Sequence, residues 1–261
     1  MIKMLVTDLD NTLVRGDKTI SDFAVSVLRR CRERGITVAY ATARSIQASE
    51  KYVKRFRPDA FIGYGGALAQ AGGLTVRRFA IPADVSSRLI NESLITPGVT
   101  VIHAVNEFAA HTNVRGINEA DAESQHYEYH DFINDGGASY LKITLTSNNP
   151  NAVARIASGY PALDMLRYTG EDLYRFAMRE AVKWNAVLAV AEHFGFGAES
   201  CAAFGDDVND YEMIKKCGVG IAVSNAIPEV KAAARHICGS CDEDGVAEWL
   251  INNVLSPRAT R

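Results

Sequence analysis

The sequence predicts an α/β protein, a helix-covered parallel sheet interrupted by an inserted α+β unit. Three observations carry this prediction. An apolar run at residues 2–7 ends in Asp8-Leu9-Asp10, as a buried strand does when it opens into a polar crevice at a sheet's carboxyl edge. In the first and last thirds of the chain, continuous apolar strands alternate with helical patterns, which implies a parallel sheet buried on both faces. The middle third instead carries short strands of alternating or β-branched texture with two helices, as expected of antiparallel pairing.

The elements follow in order. Residues 2–7 form the first strand. Ser21 caps a helix in which Ala24, Val27, Leu28 and Cys31 fall at i, i+3, i+4 and i+7, and Gly35 ends it. Residues 36–41 form a second buried strand closing at Thr42, residues 45–55 a helix, and residues 60–64 a strand that runs into Gly65-Gly66. Strands are expected at 75–81, 99–104, 108–112, 140–146 and 173–178, with helices at 83–94 and 151–158. Residues 114–139 are polar and aromatic without periodicity. The parallel pattern then resumes. A helix at 183–194 precedes a strand at 201–204 that ends in Gly205-Asp206-Asp207. Helices at 208–217, 227–234 and 244–254 and a strand at 220–223 complete it. The expected domains are 1–82 with 179–261, and an insert at 83–178.

Composition narrows the function classes. With 261 residues, 48% hydrophobic and 23% charged, the chain has ordinary globular composition. A formal net charge of −3 argues against a nucleic-acid-binding surface, and no apolar run is long enough to span a bilayer. A strand begins at once where a signal peptide would need a charged and then a long apolar region, so the cytoplasm is the expected location. The 5 cysteines, an odd number, fit free thiols better than a disulfide framework. Cys238 and Cys241 form a C-x-x-C with no second Cys/His pair nearby to complete a zinc shell, which favours two incidental loop thiols.

The strand ends bring chemistry together. Asp8, Thr42 and Asp206 each close a strand, and Lys183 opens the helix before the last of these strands. In a parallel sheet such ends share one edge. Two carboxylates there repel each other unless a cation or a shared proton relieves them, which suits a divalent metal and a charged substrate. Each residue type has a task in phosphoryl transfer, where catalysis is mostly positioning and charge stabilisation. Asp8 is the candidate nucleophile, forming an aspartyl-phosphate, and Asp10 the candidate general acid and base. Asp8 and Asp206 are candidate Mg²⁺ ligands. Thr42 offers a hydroxyl and nearby amides to phosphate oxygens, and Lys183 a compact positive charge. Asp207, Asn209 and Asp210 follow on the Gly205 turn, one of them expected to orient metal-bound water or Lys183. Each element alone is commonplace. Their combination and order carry the reading.

These residues resemble the haloacid dehalogenase-like (HAD) hydrolase superfamily. The matching stretches are Asp8-Leu9-Asp10-Asn11-Thr12, Ala41-Thr42-Ala43-Arg44, Lys183, Gly205-Asp206-Asp207-Val208-Asn209-Asp210 and the closing Asp242-Glu243-Asp244-Gly245-Val246. The long insertion is similar to the type IIB cap of Cof-type phosphatases. The resemblance implies a Rossmann-like core, Mg²⁺, and phosphomonoester hydrolysis through an aspartyl-phosphate. Carried over by position, it makes Asp8 nucleophile and metal ligand, and Asp10 acid/base with a backbone carbonyl on the metal. Asp206 is the further metal ligand, and Thr42, Ala43, Lys183 and Asn209 hold phosphate. The second aspartate argues against the dehalogenase branch and against pump-type ATPases. Three positions depart from the usual pattern: Ala43 and Trp184 stand where Gly is common, and Gly65 where Asn is usual.

In such enzymes a cap excludes water and contacts the leaving group. The polar-aromatic stretch supplies candidate selectors, Arg115, His126, Tyr127, Tyr129 and His130, although any one of them is more simply read as cover for the cap's own sheet. Arg44 is expected to hold the cap, reach the ligand or make a surface ion pair. The leading expectation is a Mg²⁺-dependent phosphatase of small phosphorylated metabolites, sugar phosphates first. The alternatives are a phosphoglycomutase-like phosphotransferase and a catalytically silent binding protein.

Overall fold

The computed structural model describes residues 1–116, 126–133, 137–168 and 170–256. The chain divides into two compact units. The larger comprises residues 1–43, 50–77 and 182–261, and the smaller residues 44–49 and 78–181. The expected insert lies within the smaller unit, which also takes in Arg44–Ser49. Gln47 of that short segment donates to the carbonyl of Glu107 at 3.1 Å.

The larger unit is built on an eight-stranded sheet. Its first part runs β1 (Met4–Thr7), α1 (Asp22–Glu33), β2 (Thr37–Ala41), α2 (Ile46–Arg55), β3 (Ala60–Gly63), β4 (Leu68–Ala71) and β5 (Leu74–Arg78). The smaller unit follows with α3 (Ala83–Leu94), β6 (Val99–Val105), β7 (Ala110–Thr112), β8 (Glu128–Tyr129), β9 (Lys142–Ser147), α4 (Pro150–Ser158), β10 (Leu163–Arg167) and β11 (Leu173–Met178). The chain then completes the larger unit with α5 (Lys183–His193), β12 (Cys201–Gly205), α6 (Tyr211–Lys216), β13 (Val219–Val223), α7 (Pro228–Ala233), β14 (His236–Cys238) and α8 (Gly245–Leu250).

The large sheet has the order β14-β13-β12-β1-β2-β3-β4-β5. It is parallel from β14 to β3, and β4 runs antiparallel to β3. β1 and β12 are wholly buried, as continuous apolar strands covered on both faces must be. Ser21 caps α1 by accepting from the Ala24 amide at 2.9 Å, and Ala24, Val27, Leu28 and Cys31 form the helix's buried stripe. β4 and β5 were not expected as a pair. They form a hairpin through Gly72-Gly73, both at positive φ (57° and 83°), a turn that L-residues with side chains enter only under strain.

In the smaller unit the sheet order is β10-β11-β9-β6-β7-β8, antiparallel except for the short β7–β8 pair. One face packs on the unit's own apolar cluster, which includes Leu89 and Ile90 of α3, Val153 and Ile156 of α4, and Ile102, Ile143, Leu145 and Phe176 of the sheet. Asn149 caps α4 by accepting from Ala152 at 3.1 Å, with Pro150 in the first turn. No described helix is long and apolar enough to cross a membrane. All five cysteines are buried and free. Cys238 lies in edge strand β14 and Cys241 in the turn after it.

Candidate active site

Strand order creates the site. β1 lies between β2 and β12, with Thr7 in register with Tyr40 on one side and Phe204 on the other. The residues that follow these strands therefore leave the sheet at the same edge: Asp8 from β1, Thr42 and Ala43 from β2, and Asp206 from β12. Connections to either side of β1 run in opposite directions, and this is where open α/β sheets leave a crevice. The Asp8 amide donates to the Phe204 carbonyl at 3.0 Å, which extends the β1–β12 ladder to the first aspartate itself.

Lys183 is the first residue of α5 and is only 3% exposed. Its Nζ lies 2.6 Å from Asp8 Oδ1 and 2.6 Å from Asp210 Oδ1. Gly66 makes room for this helix start. At φ 104°, a Cβ there would stand 2.3 Å from the carbonyl carbon of Val182, so the turn after β3 approaches the α5 backbone as only glycine allows. Gly205 does the same for Asp210, whose Cβ would lie 2.4 Å from a side chain at that position. Asp210 thus folds back under its own turn. Its Oδ2 accepts from the amides of Asp206 (3.0 Å) and Asp207 (3.3 Å), while Oδ1 faces Lys183.

Asp8, Asp206 and Asp210 each present a carboxylate oxygen within 4.8 Å of the others, the one such metal-competent group among the described residues. Three carboxylates surround a single ammonium. Burial, then the charges of Asp210 and Asp206, raise Asp8 well above the usual carboxylate range against the pull of Lys183. Burial, followed by the charge of Asp210, pushes Asp206 up to about 7. Burial alone would lower Lys183, but Asp210 and Asp8 outweigh it and hold the ammonium charged. An all-oxygen donor set with excess negative charge fits a hard divalent cation such as Mg²⁺, which these carboxylates could hold.

The other expected residues divide. Asp10 sits at a turn bridged to Val14, and its carboxylate lies 3.8 Å from Lys18 rather than within the acidic group. Thr42 is buried and donates its amide to Ile62 at 2.8 Å. Asn209 lies in the single turn Val208–Asp210. Asp207 is exposed, and its carboxylate accepts from the next amide, Val208, so it caps that turn away from the acidic group. Of the three candidates on this turn, Asp210 is the one that engages Lys183.

Sequence reasoning gave Thr12 no role beyond membership of the Asp8–Thr12 stretch, yet its hydroxyl donates to Asp206 Oδ1 at 3.0 Å. Its position two residues after Asp10 was the available signal. Asn225, also missed, donates to the Asn11 carbonyl at 2.7 Å and accepts from Cys241 at 2.9 Å, fixing the loop that carries Asp10. The closing segment has a similar supporting part. Asp244 accepts from the Arg15 guanidinium and from Ser21 at 2.9 Å, and Asp242 accepts from the Gly16 amide at 2.8 Å.

The three departures are locally accommodated. Ala43 is absent from the positive-φ residues, so its methyl group meets no left-handed backbone. Gly65, at φ 72°, occupies the region that Asn and Gly share. Trp184 carries Lys216 above its ring at 5.6 Å.

Arg44 and the candidate selectors belong to the smaller unit. Tyr127 stacks on His103 of β6 (4.2 Å) and His130 on His111 of β7 (4.7 Å), so both cover their own sheet. Arg115 lies over the Tyr129 ring at 3.7 Å, and His126 is exposed.

A family model for haloacid dehalogenase-like hydrolases matches residues 5–250, and the chain belongs to that family. It is 25% identical over 267 residues to the HMP-PP phosphatase of Klebsiella pneumoniae, covering 98% of this chain and 97% of that one. A likeness of 25% over 260 residues links it to the HMP-PP phosphatase of Escherichia coli O6:H1 (96% and 95% covered). Among solved structures, it is similar to a haloacid dehalogenase-like hydrolase from Bacteroides thetaiotaomicron, with TM-score 0.84 and 23% identity over 97% and 99% of the two chains. It is also similar to a HAD subclass IIB sugar phosphatase, with TM-score 0.82 and 22% identity over 96% and 98%. The Rossmann-like parallel core with its inserted α+β cap is the subclass IIB architecture.

Proposed function

We propose that this hydrolase is a Mg²⁺-dependent phosphomonoesterase that acts on small phosphorylated metabolites, with sugar phosphates the first candidates. One observation carries the reading: Lys183 Nζ stands 2.6 Å from both Asp8 and Asp210, within the carboxylate group that includes Asp206. This is a buried nucleophile with a fixed counter-charge and a place for a cation. The HMP-PP and sugar phosphatases among its relatives support the substrate class.

In this reading Asp8 attacks phosphorus, the ester P–O bond breaks, and an aspartyl-phosphate forms on Asp8. Asp10 gives its proton to the departing alkoxide and later takes one from the water that hydrolyses the intermediate. Lys183 offsets phosphate charge, and Thr42, Ala43 and Asn209 supply hydroxyl, amide and carboxamide contacts to its oxygens. Asp8, Asp206 and the Asp10 carbonyl would hold Mg²⁺, whose charge would offset the repulsion between nucleophile and phosphate dianion. The smaller unit, as cap, selects the leaving group.

Asp8→Asn tests the assignment. Phosphate release from p-nitrophenyl phosphate is expected to fall to background while the urea unfolding midpoint stays near the parent value, and EDTA is expected to silence the parent reversibly. Normal turnover in the variant, or activity indifferent to EDTA, would overturn the reading. Release of free phosphate from a sugar phosphate, rather than an isomeric phosphosugar, separates hydrolysis from mutase chemistry.

A further inference from the structure

Within the larger unit, the loop that leaves β1 is held by side chains from the last part of the chain. Asn225, in the turn after β13, donates its carboxamide nitrogen to the Asn11 carbonyl at 2.7 Å. Farther along the loop, Asp244 accepts from the Arg15 guanidinium, and Asp242 from the Gly16 amide at 2.8 Å. Of these anchors, the first adjoins Asp10. Asn11 is the next residue, and its φ of 55° lies in the left-handed region that side-chain-bearing residues seldom enter. Fastening its carbonyl fixes the Asn11–Thr12 peptide plane, and with it the backbone that carries the Asp10 side chain.

Asn225 has little to do for the fold alone. It is exposed, so water could serve its carboxamide, and a hydrogen bond exchanged with water adds only modestly to stability. Yet both ends of the carboxamide are engaged. While the nitrogen reaches Asn11, the oxygen accepts from the Cys241 amide at 2.9 Å. One partner can only accept and the other only donate, so the orientation of the group follows from its neighbours. Held at its oxygen, the group keeps its N–H aimed at the Asp10 loop. The same turn also takes the second aspartate-bearing loop, since the Ile227 amide donates to the Asp206 carbonyl at 2.9 Å. The turn after β13 therefore ties the loop of Asp10 to the loop of Asp206, with the turn at Cys241 as a brace behind it.

We infer that Asn225 is a positioning residue for proton transfer by Asp10, acting through the Asn11 carbonyl. This rests on the phosphatase reading above. In that reading an Asp8 oxygen bonds to phosphorus as the ester P–O bond breaks. The bonding pair leaves with the ester oxygen, which takes the Asp10 proton and leaves a carboxylate behind. Proton transfer requires hydrogen-bond reach and tolerates little misplacement. A leaving group that departs as a stable anion needs no such proton, whereas a basic one does. Loss of Asn225 is therefore felt in step with the basicity of the leaving group.

The test measures kcat/KM for p-nitrophenyl phosphate and phenyl phosphate, using the full chain with Mg²⁺. This constant covers steps only up to departure of the phenol, so hydrolysis of the aspartyl-phosphate does not enter. The ratio between the two esters also cancels the concentration of active enzyme, so a variant that folds incompletely still reports. In Asn225→Ala the phenyl ester is expected to lose about tenfold relative to the nitrophenyl ester. Asp10→Asn is expected to shift the ratio the same way and further, by about 100-fold. Asn225→Asp keeps the acceptor for Cys241 but removes the donor to Asn11, and is expected to match the alanine variant. An equal fall for both esters, as a merely structural role would give, would overturn the inference. So would the parent's ratio in Asn225→Ala, Asn225→Asp or Asp10→Asn. A parent that releases phosphate from neither ester sinks the phosphatase reading and this inference with it. A parent active on both, with its ratio unchanged in Asn225→Ala, leaves that reading standing and removes the role of Asn225 alone.

Discussion

Asp210 holds Lys183 with one carboxylate oxygen, at 2.6 Å, and the start of its own turn with the other, accepting from the Asp206 and Asp207 amides. A single side chain thus locks the loop bearing Asp206 to the helix that begins at Lys183. Its role is positional.

Replacing it should therefore harm fold and chemistry together. Asp210→Ala leaves two amides and part of an ammonium without acceptors in a buried setting, at a cost of about 3 kcal/mol. Urea denaturation is expected to register that loss, and Asp210→Asn, which keeps the shape, should lose less. An unchanged midpoint in the alanine variant would remove the locking role.

Gly66→Ala should be costly because its methyl meets the Val182 backbone, not because its φ is positive. Gly73 supplies the control, since it too has positive φ (83°) but a Cβ there meets nothing within 4 Å. Gly73→Ala is expected to cost about 1 kcal/mol from backbone strain alone. Gly66→Ala is expected to cost at least about 2 kcal/mol and to slow p-nitrophenyl phosphate turnover by displacing Lys183. Equal effects at the two glycines would show that the close approach does not matter.

Thr12→Val removes the hydroxyl that donates to Asp206 while keeping the side-chain shape. Outer-shell hydrogen bonds of this kind orient a metal ligand. Losing one worth about 1 kcal/mol should raise the Mg²⁺ concentration for half-maximal activity about fivefold. Titrating Mg²⁺ at saturating substrate checks this, and a purely lowered maximal rate would contradict it.

His103 makes acid stability partly predictable. Its folded pKa is about 4, against an ordinary 6.5, because burial and then Lys142 disfavour the charged ring. Above pH 6.5 neither state takes up the proton. As pH falls from 6.5 towards 4, the unfolded chain binds a proton that the folded chain refuses, and stability drops by at most about 3 kcal/mol. His103→Phe preserves the stack on Tyr127 without titrating, so its stability should fall less across that window. Urea midpoints of both proteins at pH 7.5, 5.5 and 4.5 measure the difference.

The strand ends were legible because chemistry and topology coincide there. An apolar strand that stops at Asp8, Thr42 or Asp206 announces both its direction and its crevice. The helix beginning at Lys183 was readable from its apolar spacing, although nothing local indicates that its first lysine is buried. That depends on Gly66, more than a hundred residues earlier. Strands β4 and β14 escaped notice for a physical reason. Leu68-Ala69-Gln70-Ala71 has little intrinsic strand preference, His236–Cys238 is only three residues long, and both are recruited by neighbours already in place. The polar row on the smaller unit's sheet escaped too, because His103, Thr144 and Arg175 become neighbours only through the register of three separate strands.

The central position of β1 has a consequence for biogenesis. Met4 pairs with Thr37 on one side and with Cys201 on the other, so the strand bearing Asp8 waits for a partner synthesised almost two hundred residues later. Closing so long a span is entropically slow, and until then a largely apolar strand presents a bare flank to other chains. Translation halted before β12 would leave a polypeptide with Asp8 in place, Asp206 and Asp210 not yet made, and an adhesive border.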